Sequence, residues 1–247
     1  MTSSPGRRLA IGWLYGTKMN IYGDRGNVLA LVQRARWRGI EVEVREIGLG
    51  DPIPPDIDIF FWGGGQDQEQ VAVSRDIQGA KGEQLRAAVE AGAALLAVCG
   101  GYQLLGHEYR PHGADPLPGV GLFDAWSTAG AERFIGNVVV NSPRWGKLVG
   151  FENHSGLTFL GAGVEPLGRV EIGRGNNGTD GTEGAVYRNA VGCYLHGALL
   201  PKNPRLADWL LAAGLTRRYG EASLAALDDT LEMQAHTSAV QRARATR

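Results

Sequence analysis

The sequence has only two cysteines in 247 residues, Cys99 and Cys193. Two cysteines cannot build a disulfide framework or a four-cysteine zinc site. No run of about 18 apolar residues occurs, so no membrane-spanning helix is expected. A charge excess is also lacking. The 25 basic and 26 acidic residues leave a formal net charge of −1, which gives no sign of nucleic-acid binding. Residues 1–8 are short and polar with no apolar core, so they do not read as an export signal. A reducing cytoplasm is the expected compartment, and a thiol stays free there. What the chain has in excess is glycine. Its 37 glycines are roughly twice the average share of about 7%. Glycine serves positive φ angles and close backbone approach, so many tight turns are expected, some of them lining a site.

The first 110 residues alternate strand and helix patterns. Residues 9–15 read as the first strand. Asp24 is placed to cap a helix whose apolar residues Val28, Leu29, Leu31, Val32, Ala35 and Trp37 are spaced for one buried face, with Gly39 ending it. Residues 40–47 alternate, as an edge strand does, and 57–62 and 93–98 are nearly all apolar, as strands buried on both faces are. Gly63-Gly64-Gly65 follows the third strand, then a polar segment and a helix over 82–91. This order implies βαβ units and a parallel sheet. After Pro111 the texture changes to short β-like runs at 120–126, 134–141, 148–153, 170–172, 185–188 and 191–195. These predict an antiparallel extension of the sheet or a β layer beside it. Residues 173–184 (GRGNNGTDGTEG) read as a mobile surface loop, a lid or a partner contact. They lack the strand–loop–helix setting and the Gly-Lys-Ser/Thr ending of a phosphate loop, so no ATP site is expected here. Pro204 starts a last helix. The expected organisation is one α/β domain over residues 1–218 and a tail over 219–247, helical or poorly ordered.

Ala97-Val98-Cys99-Gly100-Gly101 carries the clearest chemical signal. A buried strand runs into a cysteine, then into small residues and a helix, which is the layout of a nucleophile elbow. A helix N-terminus favours the thiolate, and the N–H after the nucleophile can donate to an oxyanion. Cys193 lies within an apolar strand pattern and reads as core. A thiol nucleophile needs a base, and the chain has five histidines. His196 and His154 both follow strands, at the edge where α/β sheets bind ligands. On the residues alone these two stay tied.

Cys99-Gly100-Gly101-Tyr102-Gln103 resembles the cysteine motif of class I, triad-type glutamine amidotransferases. Tyr194-Leu195-His196-Gly197 and the stretch from Gly150 through Glu152-Asn153-His154-Ser155-Gly156 resemble motifs of the cobyric acid synthase-like branch. Gly63-Gly64-Gly65-Gln66 and Arg133-Phe134-Ile135-Gly136 are similar to the glutaminase subunits of lipid II isoglutaminyl synthases within that branch. The resemblance covers residues 8–215. It implies a flavodoxin-like, largely parallel sheet flanked by helices, with additional strands in the second half. It implies Cys99 as nucleophile, His196 as base, and Gly64, Gly65 and Gly100 as oxyanion donors, with Arg133 and Gln103 holding L-glutamine. It implies no cofactor or metal in this chain. The ammonia would pass to a Mur ligase-like (MurT-like) synthetase subunit in a heterodimer, and ATP and magnesium are expected in that partner. The amidated group would be the D-glutamate α-carboxylate of lipid II, which places the complex near the inner membrane face.

Two alternatives keep the thiol chemistry: ammonia supply for corrinoid amidation, and a stand-alone cysteine hydrolase of γ-glutamyl compounds. A catalytically dead regulator is a third. One departure matters. The class places a glutamate two residues after the histidine, and Ala198 stands there. An orienting carboxylate sets the tautomer of a catalytic imidazole, so a carboxylate supplied by the partner is expected.

Overall fold

A computed structural model describes residues 6–220 and 223–246. The expectation for residues 1–5 lies outside the described residues, as do tail residues 221, 222 and 247. The chain begins with β1 (Arg8–Leu14), α1 (Arg25–Arg36), β2 (Glu41–Ile47) and β3 (Ile59–Trp62). Helices α2 (Asp67–Asp76) and α3 (Ala80–Glu90) follow, then β4 (Ala94–Val98) and the short α4 (Gly100–Leu105). The polar segment after the three glycines is therefore helical. Its apolar positions are too few to give a periodic signal, and of the helix residues whose burial is described only Gln70, Val73 and Ser74 are buried.

Six short and long strands come next: β5 (Glu108–Arg110), β6 (Leu117–Pro118), β7 (Ala125–Ser142), β8 (Gly146–Leu160), β9 (Gly168–Ile172) and β10 (Thr182–Glu183). The chain then returns with β11 (Ala185–Tyr187) and β12 (Ala190–Cys193), and ends in α5 (Pro204–Tyr219) and α6 (Thr230–Ala245).

The first sheet has the order β11-β12-β4-β3-β1-β2, all parallel except the β11–β12 pair. Composition explains the order. IFFW of β3 and ALLAV of β4 are buried at every position and take the centre, whereas EVEVREI of β2 is mostly exposed and takes the edge. Register brings four strand ends into one row: Leu14 pairs with Trp62, Trp62 with Ala97, and Val98 with Cys193. The segments leaving β1, β3, β4 and β12 therefore meet at one edge of the sheet.

The second sheet is a separate layer, mostly antiparallel, ordered β10-β9-β7-β5-β6 with β8 on β7. The β7–β8 hairpin is its spine, with a register shift between Ala129 and Phe134. The predicted runs over 134–141, 148–153 and 170–172 lie inside these strands. Residues 120–124 do not form a strand, because the Gly119–Phe123 backbone bonds to residues 104–107 around the end of α4 instead. Both expected outcomes of the second half are present: β11 extends the first sheet antiparallel, and the second sheet stands beside it.

The expectation of a mobile loop at 173–184 is overturned. Asn176 and Glu183 are fully buried, and Asn177 is nearly so. Glu152 accepts the N–H groups of Arg174 and Gly175, and Asn176 is bonded on both sides of Gly184. Glycine here allows tight backbone packing, not motion. The tail is also tied down. Val240 and Ala243 of α6 pack on Val139, Val149 and Ile172, and buried Arg34 bridges Asp208 and Asp229.

Candidate active site

Cys99 follows β4 in the left-handed region, with φ 51°. That conformation is unfavourable for any residue with a Cβ, and it recurs at functional sites. It turns the chain abruptly from β4 into α4 and leaves the thiol at the sheet edge. Gly100 and Gly101 are required by crowding. A Cβ at Gly101 would lie 2.8 Å from the Trp62 ring and carbonyl, and one at Gly100 would lie 2.8 Å from Gln70 Nε2. Among the described residues, five other than glycine have positive φ. Three of them, Tyr22, Cys99 and Ala198, gather here.

His196 leaves β12 and is fully buried. Its backbone is held by β8: His196 N donates to Phe151 O (2.7 Å) and Phe151 N to His196 O (3.2 Å). The Tyr22 ring meets its ring edge-on at 5.0 Å. On the far side, Nδ1 lies 3.2 Å from Oδ1 of Asp24, which is fully buried as well. Burial opposes charge on this imidazole, but the nearby Cys99 and the hydrogen bond to Asp24 outweigh it and raise its pKa to about 10. Nε2 makes no well-aligned hydrogen bond in the resting chain. Apo enzymes often hold catalytic bonds loosely until substrate arrives. The arrangement suits an imidazole that holds a proton beside the thiol.

Asp24 corrects the expectation of a partner-supplied carboxylate: the carboxylate belongs to this chain. The start of α1 lies against position 198: a Cβ at Gly26 would lie 2.6 Å from the Ala198 Cβ, so glycine at 26 is what lets the two segments meet. The sequence did point to Asp24, but as a helix cap. It stands at the cap position and makes no side-chain cap bond; Asn20 Oδ1 accepts the N–H of Arg25 instead. A Gly-Asp pair closing the loop after the first strand was the available signal.

The rival histidine has different surroundings. His154 stacks on Tyr194 at 3.6 Å, and its Nδ1 contacts Gly156 O (2.8 Å). Burial pushes its pKa down to about 4, so it is neutral at pH 7, and no carboxylate bonds it among the described residues. The structure thus separates the two histidines that the residues alone left tied.

The expected oxyanion donors divide. Gly64 N–H is already bonded to Asp24 Oδ2 (2.8 Å), which removes it as a donor to substrate. Gly65 lines the adjoining cleft. Gly100 is the first residue of α4, where an N–H has no intrahelical partner. Gln103 also departs from expectation. Its Oε1 accepts from Gln70 (2.9 Å) and its Nε2 donates to Tyr194 Oη (3.1 Å), which continues to Thr158 and Ser127. It braces α4 against the second layer and does not line the cleft. Arg133 does line it, beside Asn153, Tyr22, Gln66 and Gln68, around a space of ≈ 680 Å³. The β7 register shift frees Arg133 from the ladder, and its Nη1 contacts Asn153 Oδ1 (3.1 Å). Cys193 is core, as expected.

A thiol on a strained elbow, a buried imidazole with a carboxylate behind it, free backbone donors and a cationic cleft wall are the parts of a thiol-dependent amide hydrolase. Comparison with known proteins agrees. The CobB/CobQ-like glutamine amidotransferase domain matches residues 10–204. The chain is 40% identical to the lipid II isoglutaminyl synthase (glutamine-hydrolyzing) subunit GatD of Staphylococcus aureus strain N315, covering 95% of this chain and 96% of that protein. It is 38% identical to the subunit of the same name from Streptococcus pneumoniae strain R6, covering 92% and 88%. A crystal structure of a glutamine amidotransferase shares the fold, with TM-score 0.56 at 18% identity over 83% of this chain and 98% of the other. Among the described residues no helix is long and apolar enough to cross a membrane. The chain belongs to the CobB/CobQ-like glutamine amidotransferase family.

Proposed function

We propose that the chain is the glutaminase subunit of a lipid II isoglutaminyl synthase, hydrolysing L-glutamine and supplying ammonia to a synthetase partner. The observation that carries this reading is Cys99 on its left-handed elbow against a buried His196. The similarity to two subunits of that name, over nearly the whole length of both, supports the choice of reaction.

In this reading the Cys99 thiolate attacks the side-chain amide carbon of glutamine. The N–H groups of Gly65 and Gly100 hold the oxyanion, each such donor being worth about 100-fold or more. His196 gives its proton to the departing ammonia, leaving a γ-glutamyl thioester on Cys99. The same imidazole then takes a proton from water, which releases glutamate and restores the thiol. Arg133 faces the cleft, where its planar fork suits the substrate α-carboxylate. Every step is assigned to a side chain or backbone group of this chain, with no metal or cofactor. The partner is a MurT-like Mur ligase that binds ATP and magnesium and amidates the D-glutamate α-carboxylate of lipid II to D-isoglutamine. The compartment is the cytoplasm, at the inner membrane face.

The test is glutamine hydrolysis by wild type and Cys99→Ala, with and without the co-expressed Mur ligase-like partner. Turnover is expected only with Cys99 present, and ATP-dependent amidation of lipid II only with the partner. No turnover in any combination overturns the reading.

A further inference from the structure

Asp24 is a buried carboxylate with two different partners on its two oxygens. Oδ1 faces His196 Nδ1 at 3.2 Å, and Oδ2 accepts the N–H of Gly64 at 2.8 Å. Burying a carboxylate is costly unless its lone pairs are met, and no lysine or arginine bridges it among the described residues. The imidazole and the Gly64 N–H are what hold it there. Its own turn is zipped to the same loop: Ile21 N donates to Gly64 O (3.3 Å) and Asp24 N to Ile21 O (3.2 Å). The fit is close on the loop side. A Cβ at Gly64 would lie 3.0 Å from His196 Cε1 and from Ile21 Cγ1, and one at Gly63 would lie 3.3 Å from Asp24 Cβ.

We propose that Asp24 is the positioning residue of the site, gripping the base with one oxygen and the glycine loop with the other so that the two stay aligned. This inference rests on the glutaminase reading and deepens it. Oδ1 fixes the Nδ1–H tautomer and leaves Nε2 facing Cys99. Oδ2 engages Gly64, which turns the next peptide so that Gly65 N–H is the donor left for the oxyanion. The proton acceptor and half of the oxyanion hole therefore share one anchor. The partner need not complete the triad.

Asparagine separates the two grips. Its carbonyl can still accept Gly64 N–H, but its NH₂ then faces Nδ1 and enforces the wrong tautomer. Alanine releases both. The experiment uses the full chain with its co-expressed partner, in wild-type, Asp24→Asn, Asp24→Ala and Cys99→Ala forms. It reads glutamine turnover, the rate of Cys99 alkylation by iodoacetamide, and amide exchange of the peptide containing Gly64. Asp24→Asn is expected to lower kcat by about 10³- to 10⁴-fold with KM within about threefold. Alkylation should slow about tenfold at neutral pH, while the Gly64 amide stays protected. Asp24→Ala should add loss of that protection. The proposal is overturned if Asp24→Asn keeps kcat and alkylation within about threefold of wild type, or if only KM or thermal stability changes. If wild type turns over no glutamine yet Asp24→Asn still slows alkylation, the glutaminase reading falls and the role of Asp24 stands.

Discussion

Two carboxylates in this chain each hold a glycine-rich loop by its backbone N–H groups, and each lies near a histidine. Asp24 holds Gly64 and touches His196. Glu152 holds Arg174 and Gly175, and His154 follows it by two residues on β8. The difference is in how the oxygens are used. Asp24 divides its pair between loop and imidazole. Glu152 commits both to N–H donors and has nothing left for a side chain. The first arrangement joins a loop to a base; the second only builds a turn. Buried carboxylates and glycine loops therefore do not mark a site by themselves, and what marks it is the second partner.

The comparison breaks first at the histidines. His196→Ala is expected to lower glutamine turnover by about 10⁴-fold or more, as loss of an essential base does. His154→Phe keeps the ring that stacks on Tyr194 and should leave kcat within about tenfold, at a cost in stability from the orphaned Gly156 carbonyl. Steady-state kinetics on both variants decides the matter. Equal losses would mean that the His154 side of the cleft is chemically active, and the contrast would fail.

The carboxylates themselves give the next largest separation. Glu152→Gln places an NH₂ against backbone donors that need an acceptor. It should destabilise the fold by about 1–3 kcal/mol and leave kcat within about threefold of wild type. Urea titration and turnover together should show the reverse of the Asp24→Asn pattern. A Glu152→Gln variant of normal stability and poor kcat would place Glu152 in the mechanism.

Arg133 sharpens the comparison from the cleft. It stands off the β7 ladder and contacts only Asn153 by hydrogen bond among the described residues. Arg133→Ala should raise KM for glutamine about 10- to 100-fold with kcat within about threefold, because the α-carboxylate is bound equally in ground and transition states. A fall in kcat at unchanged KM would assign Arg133 a part in the chemical step.

These contrasts show what could be read from the sequence. The parallel core was legible because burial on both faces leaves continuous apolar runs, as at 59–62 and 94–98. The elbow was legible because a strained turn demands small residues next to Cys99. Asp24 was visible and misread, since a residue at a helix cap position and one aimed into a site look alike in sequence. The loop at 173–184 was misread for a related reason. Glycine content reports what the backbone may do, and only the buried Glu152 and Asn176 show that this backbone is clamped. The choice of His196 over His154 depended on resemblance, because the distinguishing partner lies 172 residues away in the chain.

The smallest expected effect comes from Glu183, a third buried carboxyl beneath the strand that carries His196. Its Oε1 accepts the N–H of Tyr194 (2.6 Å), and its Oε2 has no hydrogen-bond partner among the described residues. Burial pushes its pKa up to about 8, against the pull of the Tyr194 N–H and with a further push from Glu152. The folded chain thus holds a proton that the unfolded chain releases near the ordinary value of 4.5. Between these values the native state binds more protons, so stability falls as pH rises. The contribution is complete below about pH 4.5 and is lost through about pH 8, with a slope of at most about 1.4 kcal/mol per pH unit. His154 and His196 titrate against their own unfolded values over parts of the same range, with opposite signs, so the wild-type curve alone is ambiguous. Glu183→Gln keeps the shape and the acceptor for Tyr194 but cannot ionise. Urea midpoints at pH 5, 6.5 and 8 should show the variant gaining on wild type at each step. A gap that stays constant with pH would mean that Glu183 is ionised throughout, and that its buried oxygen is met by something other than its own proton.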